Sequence, residues 1–155
     1  MIEKLTIVLG DETHEVNPDA ELKLSEEDIN ENLKNQPSLY AFYAVMHEAA
    51  EAEVADRKLS LETLEAMLDE TVRAEAATAG VKVTETMIAN RIRLKEDYLD
   101  AAIALNKAKA QSGKLRAIKD AFVHRKDMLV TLASNMRAQA DPEIFIKKEQ
   151  LKNRS

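Results

Sequence analysis

The chain has 155 residues, of which 45% are apolar, 32% charged and 4% aromatic, with a formal net charge of −6. Three Gly and three Pro supply too few turns for an all-β fold, and the absence of Cys excludes disulfide scaffolds, thiolate metal sites and cysteine nucleophiles. No run approaches the roughly 18 apolar residues of a membrane span, and the N-terminus lacks a basic segment followed by a long apolar one, so a soluble, helix-rich cytosolic protein is expected.

In chain order, residues 2–9 are β-branched and apolar with Leu5, Ile7 and Leu9 alternating, Gly10-Asp11-Glu12 offers turn chemistry, and Thr13–Val16 returns as a second strand. Asn17-Pro18-Asp19 reads as a turn. Ser25 and Asp28 resemble a capping box that opens a short helix through Ile29 and Leu33. Asn35-Gln36-Pro37 starts the next helix, with Pro37 in its first turn. From there to Ala79 no Gly or Pro occurs. Phe42, Tyr43, Met46, Ala50, Val54, Leu61, Leu64, Leu68 and Val72 follow helical spacing along it. Gly80 suits a left-handed helix end, and Thr84 with Glu85 begins a further helix.

That further helix is expected to run from about Glu85 to Gln139, interrupted at Gly113 and stopped by Asp141-Pro142. Its apolar seam, Leu115, Ile118, Phe122, Leu129, Leu132 and Met136, alternates threes and fours in heptad fashion, with the charged Arg125 inside it. Two helices of about 43 and 55 residues span roughly 65 and 80 Å, whereas a compact globule of this size has a radius of gyration near 15 Å. The fold class expected is therefore mainly α: an extended helical hairpin or coiled-coil subunit with a small N-terminal β-hairpin. Because many of its apolar positions are only Ala, it should bury further surface by self-association into a homo-oligomer. The chain divides into an N-terminal hairpin segment (1–24), a helical oligomerisation and DNA-binding domain (25–140) and a basic C-terminal tail (141–155) that is mobile or docks on a partner.

Catalytic chemistry is hard to place. Gly10, Gly80 and Gly113 are too scattered for a phosphate-binding loop, and His14, His47 and His124 do not cluster. His47 and Glu51 share a helix face without forming a metal motif, and read as a solvent-facing polar pair. No enzyme activity, no cofactor and no metal site is expected.

Charge is more informative. Residues 1–80 hold 19 Asp+Glu against 6 Lys+Arg, whereas residues 81–155 hold 9 against 16. Lys109, Arg116, Lys119 and Lys126 recur at spacings of seven, three and seven beside the apolar seam. Lys107, Lys114 and Arg125 line its other border. Cations repeated along a rigid helix neutralise successive phosphates, and with little aromatic interleaving such binding follows the backbone and tolerates any sequence. The same pattern also describes coiled-coil flanks that pair with acids of a neighbouring helix, for which Glu48, Glu51, Glu53, Glu62, Glu65, Asp69 and Glu70 are available. Arg125, within the seam, suits an inter-helix ion pair better than a phosphate.

Residues 121–137, AFVHRKDMLVTLASNMR, resemble a segment of the UvsY-like phage recombination mediators. GVKVTETMIANRIR (80–93) and QPSLYAFYAVMHEAAEAEV (36–54) look like matching parts of the same helical layout. The resemblance covers roughly residues 26–140. It implies a small helical subunit that assembles into a ring and binds single-stranded DNA. It further implies that the protein remodels a single-stranded-DNA-binding protein and helps a RecA-like recombinase load during DNA recombination and repair, in the cytoplasm of a bacterial host. The family's basic cluster near the end of the first long helix has no counterpart here, because Glu62–Arg73 is acidic apart from Arg73. The DNA contacts are therefore placed on Lys107, Lys109, Lys114, Arg116, Lys119, Arg125 and Lys126. A coiled-coil scaffold or adaptor of a phage particle is the alternative reading.

Overall fold

The structure, a computed structural model, describes the backbone of residues 4–152 and the side chains of residues 4–140. The chain is mainly helical: a long helical hairpin preceded by a small two-stranded antiparallel β-hairpin. The strands are β1 (Leu5–Leu9) and β2 (Glu12–Val16). They are joined through Gly10, whose φ of 58° is a backbone conformation that side chains disfavour. Alternation holds as expected: Ile7 is buried and Leu5 and Leu9 half-buried, while Thr6 and Val8 are exposed.

Among the described residues four helices follow: α1 (Pro18–Leu22), α2 (Ile29–Thr78), α3 (Glu85–Arg93) and α4 (Glu96–Lys152). Several boundaries differ from the sequence reading. Asn17-Pro18-Asp19 is a helix start, not a turn: Pro18 occupies the first turn and the Asn17 side chain accepts the Ala20 N–H at 3.2 Å. Ser25 opens nothing. The first bond of α2 runs from the Asn32 N–H to the Asp28 carbonyl, at 2.9 Å.

Pro37 lies inside α2 rather than at the head of a new helix. A proline removes one backbone hydrogen bond, and the ties made by its neighbour Gln36 to α4 hold the chain in line through that gap. Gly113 likewise lies within α4, with nothing within 4 Å of where its Cβ would be. A single glycine costs about 1 kcal/mol in a helix, less than the roughly 1.5–3 kcal/mol that burying the nearby Leu115 recovers. Asp141-Pro142 does not stop the backbone either, since α4 continues to Lys152. The side chains of the expected tail, from Asp141 onward, lie outside the described residues.

The break absent at Gly113 occurs instead at Leu94-Lys95. There the Leu94 N–H returns to the Arg91 carbonyl at 3.3 Å and the Lys95 N–H to the Ile92 carbonyl at 2.9 Å, and the Lys95 carbonyl accepts the first N–H of the next helix, from Leu99 at 3.1 Å. Arg91 and Arg93 end α3, and Glu96 and Asp97 begin α4, each charge set opposing the local helix dipole.

The described residues fall into two compact units. In the first (4–6, 15–44 and 117–152), Tyr43 and Phe122 are fully buried and stacked, with ring centroids 5.0 Å apart. Phe42 meets Tyr43 edge-on at 5.2 Å. The Tyr43 hydroxyl donates to Glu21 at 2.8 Å, tying α1 to α2. Burial, and then the Glu21 carboxylate, push that phenol well above its ordinary range, so it is a neutral donor.

In the second unit (7–14 and 45–116), Val72, Ile88 and Ile92 form a core covered by Leu68, Val83 and Tyr98. The turn that brings α3 onto α2 is a Schellman cap. The Val81 N–H bonds the Ala76 carbonyl (2.9 Å), the Gly80 N–H bonds the Ala77 carbonyl (3.1 Å), and Gly80 takes φ 65°. Thr84 caps α3 as expected, its side chain accepting the Met87 N–H at 3.3 Å.

Candidate nucleic-acid interface

All seven cations of the basic segment lie on α4. In the second unit, Lys107, Lys109, Lys114 and Arg116 are exposed; in the first, Lys126 is exposed, Lys119 half-buried and Arg125 buried.

Arg125 departs most from expectation. It is 4% exposed, and its guanidinium is surrounded by neutral oxygens rather than carboxylates. Nη1 donates to the Gln36 Oε1 at 2.6 Å, and Nη2 to the Asn32 Oδ1 at 2.7 Å and to the Lys23 carbonyl at 3.4 Å. Gln36, itself buried, completes the link by donating from Nε2 to the Phe122 carbonyl at 2.6 Å. Nε of Arg125 has no hydrogen-bond partner, and burial lowers the affinity of the group for its proton. The expected inter-helix ion pair is thus an amide cage. Arg125 is withdrawn from solvent and buried among uncharged partners in the core of the first unit.

Three of the α2 acids that were candidates to neutralise the basic segment, Glu53, Glu62 and Asp69, are engaged by bases of their own helix. Arg57 donates to Glu53 at 2.7 Å, Lys58 lies 3.8 Å from Glu62, and Arg73 donates to Asp69 at 2.7 Å and, across to α3, to Glu85 at 2.6 Å. Glu75 takes Lys95, which follows α3, at 3.3 Å. Hydrogen bonding from Arg73 holds the Glu85 carboxyl below its ordinary value. Among the described residues, no carboxylate of the second unit lies within ion-pair distance of Lys107, Lys109 or Lys114. Among the described residues Lys126 pairs with its neighbour Asp127, at 3.2 Å and largely exposed, a contact of little energetic weight.

His47 is not a solvent-facing group. It is 8% exposed, with Nδ1 lacking a hydrogen bond and Nε2 3.9 Å from Glu51, which accepts the Ser112 hydroxyl of α4. No set of three metal-binding side chains occurs among the described residues.

One residue was missed. In the second unit an open groove of about 350 Å³ is lined by Arg57 of α2 together with Lys107 of α4. Val8, Ala104 and Ala108 form its apolar floor. Gln111 closes one side by pairing with both the N–H and the carbonyl of Val8. The clue in the sequence was Arg57-Lys58, the two bases in the otherwise acidic stretch 45–72. No protein-family model, curated protein or solved structure matches the chain. Among the described residues no helix is long and apolar enough to cross a membrane.

Proposed function

We propose that the protein is a recombination mediator that binds single-stranded DNA through its phosphates and assists the loading of a RecA-like recombinase, displacing a single-stranded-DNA-binding protein as it does so. The observation that carries this reading is the set of unneutralised lysines Lys107, Lys109 and Lys114 on α4, beside an α2 whose Glu53, Glu62 and Asp69 are held by its own bases. Arg116, Lys119 and Lys126 are the further cations that the sequence supplies for phosphate contacts. A few phosphate contacts per subunit bind weakly. A homo-oligomer, such as a closed ring, repeats the set and raises the affinity through effective concentration. Apolar side chains left on the surface, Leu59 at 64% and Met67 at 62% exposed, supply material for that assembly.

The same exposed side chains favour the second reading, a structural coiled-coil protein of a phage particle whose lysines are neutralised by neighbouring subunits. Fluorescence anisotropy with an oligo-dT strand separates the two. The mediator reading expects binding at low salt that weakens linearly in log–log form as salt rises, and at least a tenfold loss in the Arg116→Glu/Lys119→Glu variant, about 1.4 kcal/mol. No binding at low salt, or an unaffected variant, contradicts it.

A further inference from the structure

We infer that the groove beside the β-hairpin seats one nucleotide of the bound strand, with Arg57 as a second cation opposite Lys107. This rests on the single-stranded-DNA reading and adds where the strand touches the subunit and what part of it is recognised.

Three features of the groove select the ligand. Its floor is hydrocarbon: the backbone N–H and carbonyl of Val8, which would otherwise face the opening, are both taken by the Gln111 amide. A ligand therefore meets Val8, Ala104 and Ala108 as an apolar surface, suited to the face of a base or sugar. Its rim is cationic. Lys107 is exposed, and although the Arg57 Nε is committed to Glu53, the rest of the guanidinium carries donors for a phosphate. The one acid on the rim, Glu53, is already held by Arg57.

Size and continuity argue for a single unit of a polymer. About 350 Å³ lies near the lower end of the roughly 300–1,000 Å³ typical of small-molecule sites. Lys114 follows Lys107 by seven residues, two turns along the same side of α4 and about 10 Å on. A small anion in the groove does not reach it, whereas a chain of phosphates does. The groove thus gives the strand a foothold with some base contact, and the lysines beyond it contact backbone only.

The test compares oligo-dT with inorganic polyphosphate, which has the charge but no base or sugar. Two variants are used: Ala108→Leu, which fills the groove without changing charge, and Arg57→Gln on the exposed rim. Ala108→Leu should weaken oligo-dT binding about fivefold and leave polyphosphate binding unchanged. Arg57→Gln should weaken both by about threefold and lower the salt slope by roughly one. If both variants bind oligo-dT like the parent while Arg116→Glu/Lys119→Glu does not, the groove assignment is overturned and the proposed function stands. If the parent protein binds neither polymer, both are overturned. Should Ala108→Leu fail to fold, as circular dichroism would show, Arg57→Gln alone decides.

Discussion

The two units solve the same problem, joining α2 to later helix, with opposite chemistry. In the second, Val72, Ile88 and Ile92 meet as hydrocarbon, and the turn feeding them is fixed by a glycine cap and a threonine cap. In the first, aromatic stacking of Tyr43 on Phe122 stands beside a buried guanidinium held by two side-chain amides and one carbonyl. An apolar contact gains free energy from area and tolerates a shifted register. A guanidinium caged by Gln36 and Asn32 gains little net free energy and penalises every register but one.

The sharpest way to break the comparison is at the aromatic pair. Phe122→Ala removes a fully buried ring and should cost about 3–5 kcal/mol in urea unfolding, comparable to the loss expected in a purely apolar core. The polar half of that unit should respond differently. Gln36→Leu leaves the Arg125 guanidinium short of an acceptor and should cost about 1–3 kcal/mol. Adding Arg125→Met to that variant should restore most of the loss, because the buried charge is gone; a double variant no better than the single would mean the cage contributes stability directly.

The smallest effect belongs to the exposed Arg73–Glu85 pair that links α2 to α3 in the second unit. The folded chain holds the Glu85 carboxyl below its ordinary value of 4.5. Its contribution is therefore complete above that pH and is lost as pH falls through the depressed value. Thermal melts of the parent and of Glu85→Gln should differ slightly above pH 4.5 and converge below it, and a constant difference at all pH values would contradict the assignment.

What the sequence made legible, and what it hid, follows the range of the interactions. Gly10, Gly80 and Thr84 were readable because each acts on backbone groups within a few residues. Pro37 and Gly113 misled, because a local weakness in a helix is overridden by packing on either side, and that packing is set by residues some 86 positions away, as with Gln36 and Phe122. The break at Leu94-Lys95 has no Gly or Pro. Its only trace was the switch from Arg91 and Arg93 to Glu96 and Asp97, the charge order of one helix ending and another beginning. The cationic row was visible as spacing. Arg125 stood out as a charge in an apolar seam, yet its neutral partners did not, since Gln36 and Asn32 carry no signature of their role. Arg57 escaped because its place beside Lys107 exists only once α2 and α4 are paired.

Native mass spectrometry of the full chain, at low salt with and without a single-stranded oligonucleotide, tests the central claim most directly. The account predicts a homo-oligomer in both samples and, with the oligonucleotide, a complex in which one strand is shared by several subunits. A monomer in both, or an oligomer that leaves the strand unbound, would contradict it.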